Sequence, residues 1–234
     1  MDVSKLLGLL AGTLAQLDTD MSIASRLCRA CVEILGAQSG ALTVATPSGE
    51  RMVVSTSGGM SAQIEDLQEV LGEGPGQLAL REARVVVTRI DGATADSFPI
   101  YSQMVASLSG PVTVYAVPMR VGERVVGVLS LYVTAGRLSR ELEDVQFLAD
   151  AVGAALLGDL ESLDWSDRAR IHQATGMVTA QLRIPPPDAL AVLRAHAFAR
   201  SSTLQGVADE VLERRMAFTH DDITVDENER TEDP

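Results

Sequence analysis

Two stretches of different pattern predict an α+β chain: an antiparallel sheet flanked by helices, a long connecting helix, and then an all-α three-helix bundle. The first observation is a set of short β-branched runs separated by turns and amphipathic segments up to about residue 160. The second is that every apolar repeat after Leu163-Asp164 has helical spacing. The third is charge, because the balance changes sign where the pattern changes. Residues 1–163 carry 11 basic and 19 acidic side chains, and 164–215 carry seven arginines and six acids. Residues 216–234 carry one arginine and seven acids.

Leu6, Leu7, Leu10, Leu14 and Leu17 repeat as a helix, and Ile23, Leu27, Cys31 and Ile34 repeat as a second that Gly36 is placed to end. Segments 41–46 and 51–57 read as strands joined by a Pro47-Ser48-Gly49 turn. Ile64, Leu67 and Leu71 predict a short helix stopping at Gly72. Residues 72–90 then give a glycine-punctuated loop, a helix and a strand, and Gly72–Gly76 reads as a turn that lines or lids a pocket. A further helix is expected within 96–108. Segments 112–120 and 123–133 form the clearest hairpin, joined at Val121-Gly122. From Ser139 an amphipathic helix runs through Leu142, Val145, Leu148, Val152, Leu156 and Leu160.

Three helices follow. The first covers about 167–182, and the second starts in Pro185-Pro186-Pro187 and runs to about Arg200. The third has capping-box spacing from Ser202 to Gln205. The expected divisions are 1–163, 164–216 and an acidic disordered tail, 217–234.

Composition narrows function. The formal charge of −13 argues against a generic nucleic-acid binder, and only 164–215 escapes the acidic bias. Residues 1–166 hold no histidine, which argues against a histidine-ligated haem there. Cys28 and Cys31 are expected as buried core thiols rather than a redox pair or a metal site. Gly72–Gly76 lacks the Gly-Lys-Ser/Thr ending of a phosphate loop. No apolar run approaches the ~20 residues of a membrane span, and no secretory leader is seen. A cytoplasmic protein that is not an enzyme is expected, with no cofactor beyond an unidentified small ligand.

Several motifs carry a family likeness. Gly72-Glu73-Gly74-Pro75-Gly76 before a helix, the hairpin 116–132 and the helix 138–156 resemble a GAF domain, with a PAS-type sensor as a competitor on composition. Similar bacterial regulators often have cysteine where Gly76 stands, so chemistry relying on that thiol is absent. Segments 168–177, 188–200 and 203–211 resemble the ANTAR domain. That resemblance implies a dimeric regulator that binds paired RNA stem-loops in nascent transcripts and relieves termination. It carries RNA contact onto Arg168, Arg170, His172, Gln173, Ala174, Thr175, Gly176, Thr179, Arg183, Arg194 and Arg200. Family members usually have lysine where Thr175 stands, so affinity is expected to lean on Arg168, Arg183 and dimerisation.

Projected at 100° per residue, Ile171, Ala174, Val178 and Leu182 form the core stripe of the first of these helices. Arg168, His172, Thr175, Thr179 and Arg183 form an adjacent row with Gly176 at its edge. Gly176 fits close approach of RNA or close helix packing equally. A DNA-reading third helix is disfavoured by Asp209, Glu210 and Glu213, which would face phosphate. The alternative from another class is a non-RNA-binding dimerisation or protein-interaction module. A weaker one, a methionine sulfoxide reductase, needs reactive cysteines in a pocket.

Overall fold

The computed structural model describes residues 3–46, 51–91, 97–158 and 166–219, with side chains of the last segment described from Arg170 on. The chain divides into two compact units, Met1–Asp164 and Trp165–Pro234. The first runs α1 (Val3–Gln16), α2 (Ile23–Leu35), β1 (Ser39–Ala45), β2 (Arg51–Thr56), α3 (Gly59–Leu71), α4 (Pro75–Glu82), β3 (Val86–Ile90), α5 (Pro99–Ser109), β4 (Val112–Val121), β5 (Arg124–Val133) and α6 (Leu142–Gly158). The second holds α7 (Ser166–Leu182), α8 (Pro186–Ala199) and α9 (Leu204–Leu212).

The five strands pair antiparallel in the order β2-β1-β5-β4-β3. Alternation along a strand sends successive side chains to opposite faces, and both faces of this sheet are covered. Leu42, Leu129 and Leu131 pack with Leu27, Cys31, Leu148 and Val152 on one side. Ala41, Val112, Val114 and Tyr132 pack with Ile64, Tyr101 and Val105 on the other. The central strand β5 is therefore buried without interruption from Gly127 to Val133. Gly127 is required by close approach: a Cβ there would lie 2.0 Å from the Thr43 carbonyl oxygen.

Local signals place most element ends. Gly36 closes α2 in the left-handed conformation, as its position predicts. The hairpin turns through Gly122 and Glu123, with Val121 opposite Arg124. Ser139 does not cap the long helix. Its N–H donates to Leu35 O (2.9 Å) and its hydroxyl to Ile34 O (3.2 Å), tying the approach to α6 onto the end of α2. The helix begins at Leu142, which is exposed, and has Glu143 and Asp144 in its first turn, where the helix dipole favours them. Leu7 also falls outside the core stripe of α1, while Leu6 and Leu10 are buried. The Pro47-Ser48-Gly49 turn and Leu160 lie outside the described residues.

In the second unit, Ala174, Val178 and Leu182 of α7, Ala189, Leu193 and Ala197 of α8, and Leu204, Val207 and Val211 of α9 form the buried core. The N-cap of α9 is Thr203 rather than Ser202: its hydroxyl accepts from Gly206 N–H at 3.0 Å, and Gln205 instead donates to Asp209 (3.0 Å). The packed unit also extends beyond residue 216. Phe218 is buried, and its N–H donates to the Gln181 side chain at 3.0 Å. Residues 220–234, the rest of the expected tail, lie outside the described residues.

Candidate nucleic-acid interface and sensor network

On α7 the buried arc is wider than a single apolar stripe. Ala174, Val178 and Leu182 are joined by Thr175, which is 8% exposed. The helix packs against both α8 and α9, so two adjoining strips of its surface are covered. Thr175 tolerates burial because its hydroxyl donates to the Ile171 carbonyl at 2.8 Å. Thr179 is half-buried, and its hydroxyl has no hydrogen-bond partner among the described residues. Ala174 and Thr175 therefore face the interior. The exposed stripe is rotated away from the predicted row and consists of His172, Gln173, Gly176 and Ala180, with Arg183 following the helix.

Gly176 distinguishes the two explanations of a mid-helix glycine. A Cβ there would meet nothing within 4 Å, so no helix of the described chain packs close against it. A glycine costs about 1 kcal/mol relative to alanine in a helix interior, and nothing in the chain's own packing explains that loss. Arg183 sits just past α7 with φ 55°, exposed.

The other arginines divide. Arg170 pairs with Asp209 at 2.5 Å and Arg200 with Glu210 at 2.5 Å, so both hold α9 in place. Arg194 is half-buried. The Arg168 side chain lies outside the described residues. The same pairs change the charge reading of α9: Asp209, Glu210 and Glu213 are each matched by an arginine, the last by Arg215 at 2.6 Å. The three carboxylates are compensated within the unit, so repulsion of phosphate by α9 is weaker than the sequence suggests.

The sensor unit holds a buried polar network that sequence reasoning missed. Glu65 of α3 is 1% exposed and accepts from Arg51, from the Tyr132 hydroxyl (2.6 Å) and from Gln68 Nε2 (3.1 Å). Arg51 Nε also donates to Thr43 Oγ1 at 3.3 Å, and Thr43 donates to Val128 O at 3.2 Å. Burial, then the charge on Glu65, holds both Tyr101 and Tyr132 well above the usual phenol range, so Tyr132 stays a donor. Tyr101 Oη and Ser130 Oγ are buried in the same unit without a hydrogen-bond partner among the described residues. The available signal was phase. Thr43 and Tyr132 share alternation with the buried residues Ala41, Val128 and Ser130 of the inner sheet face.

The glycine segment 72–76 belongs to this network. Gly74 opens α4, Pro75 occupies its first turn, and Gly76 N–H donates to Gln68 Oε1 at 2.8 Å. A Cβ at residue 76 would stand 2.7 Å from the Arg51 guanidinium carbon. Glycine at this position thus makes room for a buried arginine. Cys28 and Cys31 are buried, and desolvation pushes the Cys28 thiol up to about 12 and raises Cys31 as well. Among the described residues no group of three or more histidine, cysteine or acidic side chains is placed to hold a metal ion. None of their helices is long and apolar enough to cross a membrane.

The described chain thus comprises a sheet-centred unit with a buried charged network and a three-helix unit, three of whose arginines are engaged with its own acids. The chain belongs to the GAF domain family, whose model matches residues 22–156, and an ANTAR domain model matches residues 164–212. GAF and ANTAR are sensor and regulatory domains, so the chain is a signal-sensing regulator of the ANTAR type. Among solved structures it is similar to the GAF domain/HD domain protein from Geobacter sulfurreducens, at 14% identity over 68% of this chain and 97% of that one, TM-score 0.43. It is also similar to the GAF domain from Acinetobacter phosphoenolpyruvate-protein phosphotransferase, at 12% identity over 68% and 97%, TM-score 0.43. No curated protein matches.

Proposed function

We propose that this chain binds paired stem-loops in nascent transcripts and promotes antitermination, under control of a signal received by its GAF domain. The observation that carries the reading is the exposed α7 stripe of His172, Gln173, Gly176 and Ala180, with Arg183 beyond it, inside an ANTAR match. Unpaired loop bases can stack on or hydrogen-bond to such side chains, and a glycine lets the loop approach the helix backbone. Arg168 and Arg183 supply phosphate contacts, while Arg170 and Arg200 act by holding α9. The division of labour follows 1–163, 164–216 and the tail after it. The α6 helix carries the signal onward.

Two copies engage two loops together in the cytoplasm. Exposed Val3, Leu7 and Leu9 on α1 and Leu157 on α6 support a homodimer seam along these helices. The signal is a small molecule or a protein, and the buried Arg51–Glu65 network is the part of the sensor it must disturb or spare.

The test is a gel shift with paired stem-loop RNA against single-loop RNA and duplex DNA. Arg168→Ala and Arg183→Ala should each weaken paired-loop binding and reduce the salt slope by roughly 0.7–0.9. A folded dimer that ignores every paired-loop RNA tried leaves the protein-interaction module as the function.

A further inference from the structure

The chain does not leave the helical unit at the end of α9. Beyond Leu212 it turns back, with Arg215 and Met216 N–H groups donating to Glu210 O at 2.8 and 3.1 Å. Phe218 then comes to rest buried, its ring edge-on to the His196 imidazole at 5.1 Å between centroids. With its N–H on Gln181, Phe218 is held by α7 and α8 at once. Gln181 lies two residues before Arg183, and His196 lies between Arg194 and Arg200 in sequence. The last described residues therefore lie against α7 and α8, near the segments that carry Arg183 and Arg194.

That last stretch is anionic. Residues 220–234 carry seven carboxylates and one arginine, a balance of −6, against seven arginines and five acids in 166–219, a balance of +2. Fifteen residues reach about 50 Å when extended, and α7 spans about 26 Å at 1.5 Å per residue. Arg183 and Arg214 are exposed and have no ion-pair partner among the described residues. An anchor at Phe218 makes the encounter intramolecular, which raises the effective concentration of the acidic segment at that surface.

We propose that the segment 220–234 docks on the exposed arginines of its own ANTAR unit, Arg183 and Arg214, and competes as a polyanion with RNA phosphate. The competition rests on the RNA reading above; the docking does not. The acidic segment sets a threshold: only RNA that offers several phosphates and splayed bases together displaces it, so generic nucleic acid is kept off.

The experiment uses the full chain with Thr231→Cys carrying a nitroxide, since the buried, high-pKa thiols of Cys28 and Cys31 leave residue 231 as the reactive site. Its comparison chain has the seven carboxylates after Thr219 replaced by Asn or Gln. At low salt, amide signals around Arg183 and Arg214 should broaden in the first chain. They should recover in the second and at ~0.5 M salt, where the Debye length is only a few ångströms. The neutralised chain, unlabelled, should bind paired stem-loop RNA about tenfold tighter at low salt, the gap closing as salt rises. Equal broadening in both chains, or none, overturns the docking whatever RNA does. Docking with equal RNA affinities overturns the competition. Docking with no RNA binding by either chain upholds the contact and overturns the RNA reading instead.

Discussion

Replacing Glu65 by Gln should cost the sensor unit more stability than almost any other single polar substitution. The carboxylate, 1% exposed, is the shared acceptor for Arg51, Tyr132 and Gln68. Glu65→Gln removes the charge but leaves the Arg51 guanidinium 4% exposed, facing only neutral acceptors, the new amide oxygen and Thr43 Oγ1 at 3.3 Å. Breaking a buried pair from one side costs about 3–5 kcal/mol, because an uncompensated charge stays in the interior. In a unit of this size each kcal/mol shifts Tm by roughly 2–4 °C, so a fall on the order of 10 °C is expected for that transition. Arg51→Met should cost a similar amount. The double variant Arg51→Met/Glu65→Gln should cost at least about 2 kcal/mol less than the sum, since both charges leave the interior together. Calorimetry and urea unfolding followed by circular dichroism measure all four chains, with the sensor transition assigned from the variants that shift it. If Glu65→Gln lies within about 1 kcal/mol of the parent, or the double variant equals the sum of the singles, the network does not hold the unit together.

Three further outcomes rest on single residues. Gly176→Ala should raise the stability of the helical unit by up to about 1 kcal/mol, because its Cβ meets nothing, and should weaken paired-loop RNA binding; a stabilised variant with unchanged RNA affinity removes close approach as the reason for the glycine. Cys28 and Cys31 should resist an aromatic disulfide reagent at pH 8 in the native chain and react after unfolding, since burial pushes the Cys28 thiol up to about 12; rapid native reaction refutes their burial. Burial, and then Glu65 beside it, raises the Asp66 carboxyl above its ordinary value. A raised folded value means the stability is fully present at acid pH and is lost as pH rises through it. Asp66→Asn should therefore raise Tm at pH 7, with the gain vanishing near pH 3; a gain independent of pH contradicts that cause.

The sheet was legible because β-branched runs and turn residues alternate cleanly, and the helices because their apolar spacing is regular. Pattern alone does not show how many neighbours a helix has. With one neighbour, α7 would bury Ala174, Val178 and Leu182 and leave Thr175 and Thr179 outside. With α8 and α9 both against it, the buried arc takes in Thr175 and half of Thr179. The α9 cap was ambiguous for another reason: both Ser202 and Thr203 stand before the helix, and backbone geometry decides between them. The Arg51–Glu65 pair was missed because Arg51 opens a short edge strand and Glu65 stands midway along a helix with other charged residues, and a charge in either place normally faces water. Only the sheet pairing brings the inner faces of β1, β2 and β5 under α3.

The placement of the arginines determines how an RNA reading can work for so acidic a chain. Position 175 faces the bundle, so Thr175 closes the core and adds no cation to the surface. Arg170 and Arg200 are engaged with α9. On this reading one copy neutralises few phosphates through Arg183 and Arg168, and each contact contributes a salt slope below one unit. A single unit is then a weak, salt-sensitive binder. Two units held at fixed spacing convert the second loop contact into an intramolecular event, which multiplies affinity without any new contact. On the proposed reading, a requirement for two loops in one RNA would arise from a deficit of available cations on each copy, and a chain made monomeric should lose paired-loop selectivity along with affinity.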